Sequence, residues 1–234
     1  MPRRRRSMSP TTDVPALQTM KGRRPALRAQ DPEGVRRNIL AIATDEFANK
    51  GYSGARVDDI AARTSTSKRM IYYYFGDKER LFIEVLEQAY GRIRQIEAAL
   101  ELAHLEPEAA LRTMVGFTFD YQNANEAFIR LVMVENIHHG VHLARSGAIE
   151  GLNSPVIAIL RDICRRGIQS GLFRDDTDEV DLHMSISALC FFNVANRATF
   201  SRIFNREMAT QQALARRREI VIETIMRYVK REPE

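Results

Sequence analysis

From Asp31 onward apolar residues return every three or four positions, and this spacing continues almost to the end of the chain. Val35, Ile39, Ile42, Ala43 and Phe47 set the first stripe, the signature of one buried helix face. Asp31-Pro32-Glu33 reads as a helix start: a side-chain acceptor at the N-cap, proline at the first helical position, and an acid near the positive end of the dipole. Gly51 falls where a left-handed C-cap belongs. A short second helix over 57–63 turns Val57, Ile60 and Ala61 inward. Thr64-Ser65-Thr66-Ser67 breaks it with hydroxyls that hydrogen-bond locally. A third, over 67–74, faces the core with Ile71 and Phe75. Gly76-Asp77 stops it, and Asp77 can cap the next helix. The fold class is all-α, with about nine helices.

Charge is distributed unevenly. The 234 residues carry a formal net charge of +5, but residues 1–30 hold eight basic side chains against one acid. Residues 31–80 are nearly balanced and 81–234 are net acidic. Residues 1–30, which contain Pro2, Pro10, Pro15 and Pro25, read as a flexible basic arm. The arm is either a solvated tail or a source of phosphate and minor-groove contacts beside a DNA-binding module. With 44% hydrophobic and 28% charged residues the rest is ordinary for a folded protein. No apolar run approaches the roughly 18 residues of a membrane span, and no apolar stretch follows the N-terminal arginines as in a secretory signal. Cys164 and Cys190 form neither a disulfide framework nor a metal spacing. A cytoplasmic location is the expectation.

Three short helices with a four-residue turn before the third describe a helix-turn-helix. The run GYSGARVDDIAARTSTSKRMIYYYFGDKERLF, residues 51–82, resembles the DNA-binding domain of the tetracycline-repressor (TetR) family. Phe47, Gly51-Tyr52, Val57, Ile60-Ala61, Ser67, Ile71-Tyr72, Tyr74-Phe75, Lys78 and Leu81-Phe82 carry the likeness. The resemblance implies a helix-turn-helix domain over 31–77 and a helical effector-binding and dimerisation domain over 78–234.

Ser67 is a natural N-cap that leaves Lys68, Arg69 and Met70 on the first turn of the third helix. Lys68 and Arg69 are long donors for guanine edges or phosphate, and Met70 offers apolar surface to a thymine methyl. By resemblance, Lys68, Arg69, Met70 and Tyr72 face base edges, while Tyr73, Tyr74 and Lys78 hold the backbone. Thr66, Ser67 and Arg56 complete the expected DNA-binding set. Three consecutive tyrosines span about 300° of the helix circumference, so at least one ring projects outward. Relative to the family, Thr64-Ser65-Thr66 replaces the usual Ala-Gly-Val turn and puts a side chain where positive φ is often wanted. Ala55-Arg56 replaces the hydroxyl pair that caps the second helix, and Arg69 stands where many members have glycine.

Beyond the head, helices are expected over 78–104 (roughly 27 residues, about 40 Å), 106–123, 125–139, 154–171, 177–204 and 206–231. The resemblance implies an effector pocket, placed among Phe117, Tyr121, Phe128, Met133, Asn136, Ile137, His138, Phe192 and Asn193. Any single Phe or Met among these reads first as plain core, but amides inside apolar helices need partners. The run 135–142 holds three of the five histidines. Its alternatives are a pocket wall, a pH-sensitive contact or exposed imidazoles capping a helix end; no second ligand cluster completes a metal site, so neither metal nor cofactor is expected. Leu182, Ile186, Leu189, Val194, Ile220, Val221, Ile225 and Tyr228 are expected at a homodimer interface.

The combined expectation is a regulator that binds a palindromic DNA operator as a dimer and is released by a small-molecule effector. An architectural DNA binder without ligand control is the alternative. No nucleophile elbow, phosphate loop or paired carboxylates point to an enzyme.

Overall fold

The computed structural model describes residues 31–231, so the basic arm over 1–30 lies outside the described residues. They form ten α-helices: α1 Pro32–Gly54, α2 Val57–Thr64, α3 Lys68–Phe75, α4 Lys78–Ala98, α5 Pro107–Ala124, α6 Glu126–Ile137, α7 Ile149–Gln169, α8 Glu179–Ala195, α9 Arg197–Ile203 and α10 Gln211–Val229. Among them no helix is long and apolar enough to cross a membrane.

Local signals set the head. Gly51 takes positive φ as expected, but at φ 70°, ψ 173° it kinks α1 instead of forming the expected left-handed C-cap, and the helix resumes to Gly54. Ser67 Oγ accepts from the Met70 amide at 3.2 Å, and Asp77 Oδ1 accepts from the Arg80 amide at 2.8 Å. Asp31 makes no side-chain cap. Its carboxylate instead lies 3.5 Å from Arg37. Ser65 adopts φ 53°, ψ 30° and terminates α2 in the left-handed conformation that glycine would occupy without strain.

Three expected boundaries move, the first two through contacts with distant helices. α4 stops at Ala98 rather than near residue 104. Glu101 turns left-handed at φ 48°, and the chain doubles back through a 3₁₀ turn that buries Leu102. Arg166 of α7 holds that turn through the carbonyls of Leu105 (2.5 Å) and Leu102 (3.2 Å). α7 begins at Ile149, ahead of Pro155, which sits inside the helix. Ser146 Oγ accepts from the amides of Ala148 and Ile149 at 3.2 Å each and donates to Glu87 of α4 at 2.5 Å. This early start delivers Ile149 to the head's core. The helix expected over 177–204 is two helices divided at Asn196.

Among the described residues there are two hydrophobic cores. One gathers Ile39, Phe47, Ile60, Ile71 and Phe75 from the head with Phe82, Val85 and Leu86 from the first half of α4. Leu131 of α6 joins it, so the packing division falls within α4 and the head is not free of the body. The other gathers α5, α7, α8 and α10 around Leu111, Phe119, Leu160, Ile186 and Ile225. A short antiparallel bridge between Phe173 and Lys230 ties the end of α10 to the turn after α7. There Gly167 lies against Phe173; a Cβ on Gly167 would sit 2.1 Å from the ring.

This second core corrects part of the interface expectation. Leu182, Ile186, Val221 and Ile225 are buried in this core and Leu189 packs against it, while Val194 is buried at the floor of a groove beside α6. Those in the core are not free to meet a second copy. Only Ile220 and Tyr228 of the expected set are exposed. Periodicity marked the buried stripe; the outward faces are instead Val180, Met184, Ala188 and Phe192 on α8, with Ile220, Thr224 and Tyr228 on α10.

The left-handed Ser65 gives a direct test. Ser65→Gly is expected to stabilise the fold by about 1 kcal/mol and to raise Tm by roughly 2–4 °C. An unchanged or lower Tm in a thermal melt would show that the turn carries no such strain.

Candidate nucleic-acid interface and interhelical cavity

The α2–turn–α3 unit presents the first turn of α3 outward. Ile71 and Phe75 are its buried anchors, while Ser67, Lys68 and Arg69 are exposed and Met70 is half-buried. Among the described residues Arg69 makes no ion pair. Lys68 Nζ lies 3.0 Å from Asp58 Oδ2 on α2, which raises the lysine's pKa, and 5.9 Å from the Tyr72 ring centre. Tyr73 is 77% exposed and Tyr72 39%. Tyr74 is half-buried and meets Tyr73 edge to face at 5.4 Å. Thr66 Oγ1 donates to the Thr64 carbonyl at 3.2 Å. Lys78 stands apart from the others. Its ammonium lies 4.8 Å from the Tyr52 ring centre, and partial burial lowers its pKa.

The missing hydroxyl cap of α2 has a replacement that sequence reading did not find. Arg56 is exposed and caps nothing with its side chain. Its amide instead donates to Glu46 Oε1 at 3.4 Å. Glu46, buried on α1, also pairs with Lys50 at 2.8 Å and Arg63 at 3.5 Å. One buried carboxylate thus closes the start of α2 and ties α1 to α2.

The histidine run is resolved into a joint between head and body. Glu135, at the end of α6, accepts from the amides of His142 (2.8 Å) and Leu143 (3.0 Å) and pairs with His142 Nδ1 at 2.7 Å. Both side chains are buried. The His142 ring packs 4.4 Å from Tyr52 and 4.9 Å from Phe82, centre to centre. His138 lies 5.6 Å from Tyr52 and uses Nδ1 on the Val134 carbonyl.

The nine residues placed in an effector pocket do not come together. Met133 and Ile137 line a surface groove against α1, α8 and α9. Phe192 and Asn193 line another beside α10. Asn136 is exposed, and His138 belongs to the joint. Asn193 has its partner inside the protein, since Nδ2 donates to Asn123 Oδ1 at 2.9 Å, which Arg197 also reaches at 2.7 Å. The tilted rings of Phe117 and Tyr121 lie 5.7 Å apart, and Tyr121 meets Phe128 at 6.1 Å. Of the nine, Phe128 lines a cavity of about 410 Å³ between α4, α5, α6, α7 and α8.

That cavity contains polar groups sequence reading passed over. Tyr90 and Arg94 come from α4, Gln122 from α5 and His183 from α8. Arg94 pairs with the buried Glu97 one turn on. Burial pushes the Glu97 carboxyl up while Arg94 opposes it. Burial, aided by the charge of Arg94, lowers His183 to about 4, which keeps it neutral near pH 7. A signal was available: Glu97 falls on the apolar stripe of α4, four residues after Ile93. Cys164 and Cys190 are buried, with thiols pushed up to about 11 and about 12, and so are unreactive.

The sequence matches "Bacterial regulatory proteins, tetR family" over residues 39–85 and "Tetracyclin repressor-like, C-terminal domain" over residues 107–225. It is similar to the HTH-type transcriptional repressor NicS of Pseudomonas putida, 39% identical over 196 residues that cover 84% of this chain and 92% of that protein. The transcriptional regulator SCO4942 of Streptomyces coelicolor superposes with a TM-score of 0.62 at 26% identity, over 85% of this chain and 99% of that one. The regulator FadR of Bacillus subtilis, solved in complex with stearoyl-CoA, shares the fold at a TM-score of 0.66 and 18% identity, over 83% of this chain and 99% of its own. A helix-turn-helix head and a helical body, each matched over most of its length, make this chain a member of the TetR family of bacterial transcriptional regulators.

Proposed function

We propose that this regulator acts in the cytoplasm as a homodimeric repressor that reads a two-fold symmetric operator through α3 and is released by a small molecule held in the cavity beside α4. The observation that carries the DNA-reading role is the capped, solvent-facing first turn of α3, which presents Lys68 and Arg69 beside the N-terminal amides. Helix dipole, free N–H groups and two long cations are what a major groove accepts. Met70 and Tyr72 extend that surface toward the bases. Tyr73 and Arg56 flank it as phosphate donors, with Thr66 and Ser67 at the turn. Tyr74 and Lys78 sit further back, and both must swing from aromatic packing to reach a phosphate.

Asp58 opposes this role in the free protein by holding Lys68 at 3.0 Å. An exposed pair of this kind is worth little in itself. Next to a polyanion, however, the aspartate both competes for the lysine and repels the phosphates.

For the dimer, the outward faces of α8 and α10 offer Val180, Met184, Phe192, Ile220 and Tyr228 as one apolar surface, with Met184 62% exposed. A two-fold pairing of these helices sets two heads at a fixed spacing for two half-sites. An effector favouring one head spacing over another shifts the population away from the operator-bound form, with typical coupling of about 1–3 kcal/mol.

Footprinting on the chromosome from which the chain comes is expected to find a palindrome. Arg69→Ala should cost about 1–3 kcal/mol there and relax preference at one base position. Protection without sequence preference, lost equally by all cationic variants, would mark an architectural binder instead. Asp58→Asn should bind operator and random DNA more tightly than the wild type. Unchanged affinity in low-salt anisotropy titrations would remove Lys68 from the interface. Met184→Glu should shift the protein from dimer to monomer in light scattering at micromolar concentration while preserving its helical circular dichroism. A dimer that survives would place the interface on another face.

A further inference from the structure

We propose that the cavity between α4 and α8 takes a compact aromatic monocarboxylic acid bearing a hydrogen-bond donor, its carboxylate gripped by Arg94 and its donor accepted by Gln122. This rests on the reading of that cavity as the effector site.

Two residues that line the cavity, Arg94 and Gln122, each carry a buried polar atom without a partner. Arg94 has a side chain only 10% exposed, and it donates through Nη1 to Glu97. Its Nε is buried with no acceptor. In a guanidinium, Nε–H and one N–H of Nη2 point the same way along one edge, the edge that two carboxylate oxygens match. Glu97 on Nη1 leaves this edge open. The second atom is Gln122 Oε1, on α5, buried with no donor. A ligand that satisfies both must therefore present an acceptor pair to α4 and an N–H or O–H to α5.

Charge narrows the class further. The guanidinium of Arg94 offers donors and no acceptor, so a cationic group finds no partner on its open edge. Glu97 already occupies one side of it, so a ligand with two negative charges crowds three around one guanidinium. His183, neutral near pH 7, adds no second cation. A single carboxylate fits. The body of the ligand meets Tyr90 and Phe128, whose rings stand edge to face at 5.4 Å, and Phe191 on α8. Such walls suit a planar ring, and about 410 Å³ suits a small molecule of one or two rings.

The test is calorimetric titration of the full-length protein, without DNA, with the three ring-hydroxylated benzoates, their primary amides and plain benzoate. At least one hydroxybenzoate is expected to bind about tenfold more tightly than its amide and than benzoate. Gln122→Leu should erase the preference for hydroxybenzoate over benzoate. Arg94→Gln should erase the preference for acid over amide. Arg94→Lys, which keeps the charge beside Glu97 but loses the two-pronged edge, controls for folding and should bind the acids more weakly than the wild type. Acids bound no better than their amides, or bound equally by the Arg94 variants, would overturn the proposal. Operator release, read separately by anisotropy, separates the two ideas. An acid that binds through Arg94 without loosening the operator upholds the chemistry and removes the effector role. A neutral or cationic compound that loosens it, and is blocked by Ser187→Trp in the cavity wall, upholds the effector role and overturns the acid.

Discussion

The buried Glu135 carboxylate, with His142 against it, holds the two halves of this protein in one arrangement. A carboxylate removed from water is tolerable only when its oxygens are fully engaged, and here two backbone amides and an imidazole nitrogen meet them. That requirement fixes the path of the chain after α6. It also packs the His142 ring against both Tyr52, after the kink in α1, and Phe82, near the start of α4, two rings that touch each other as well. Leu131 and Ile149 from the body complete the same core. The head is therefore packed into the body rather than hung from it by one helix.

That packing gives the cavity a short physical route to α3. Two helices carry residues of both sites. On α4, Tyr90 and Arg94 line the cavity, while Phe82, Val85 and Leu86 lie in the head's core. On α6, Phe128 and Val132 line it, and Glu135 follows three residues later. In the proposed regulator, a molecule that moves either helix disturbs the joint beneath Tyr52 and Phe82, and with it the angle at which α3 meets DNA. The core around Tyr52 and Phe82 is closely packed, and such interiors transmit small shifts.

The parts legible in the sequence are those whose causes are local. Ser67 three residues before Met70, Gly51 after Lys50, Asp77 after Gly76 and the Ile71–Phe75 spacing are complete within a few residues, and the helix-turn-helix follows from them. Ser65 at positive φ follows from the same logic. What escaped depends on partners distant in the chain. Nothing near residue 56 says that Glu46 closes α2, and nothing near residue 149 says that Ser146 is held by Glu87. The apolar stripes of α8 and α10 were visible, but periodicity does not say which neighbour they face. Leu182, Ile186 and Ile225 went to the protomer's own core, leaving the opposite faces outward. The expected pocket dispersed for a related reason: Met133, Asn136 and Ile137 share α6 with Phe128 but lie on its outer side, and Asn193 found Asn123.

The mechanical joint between head and body is tested most directly by a double-mutant cycle on Tyr52→Leu and His142→Leu, read as denaturation free energies. A shared packed joint gives a coupling of about 0.5–1.5 kcal/mol between the two substitutions, the range for directly packed rings. Additivity to within about 0.3 kcal/mol would mean that the two residues do not sense each other, and that the head is not held by the body in the way described.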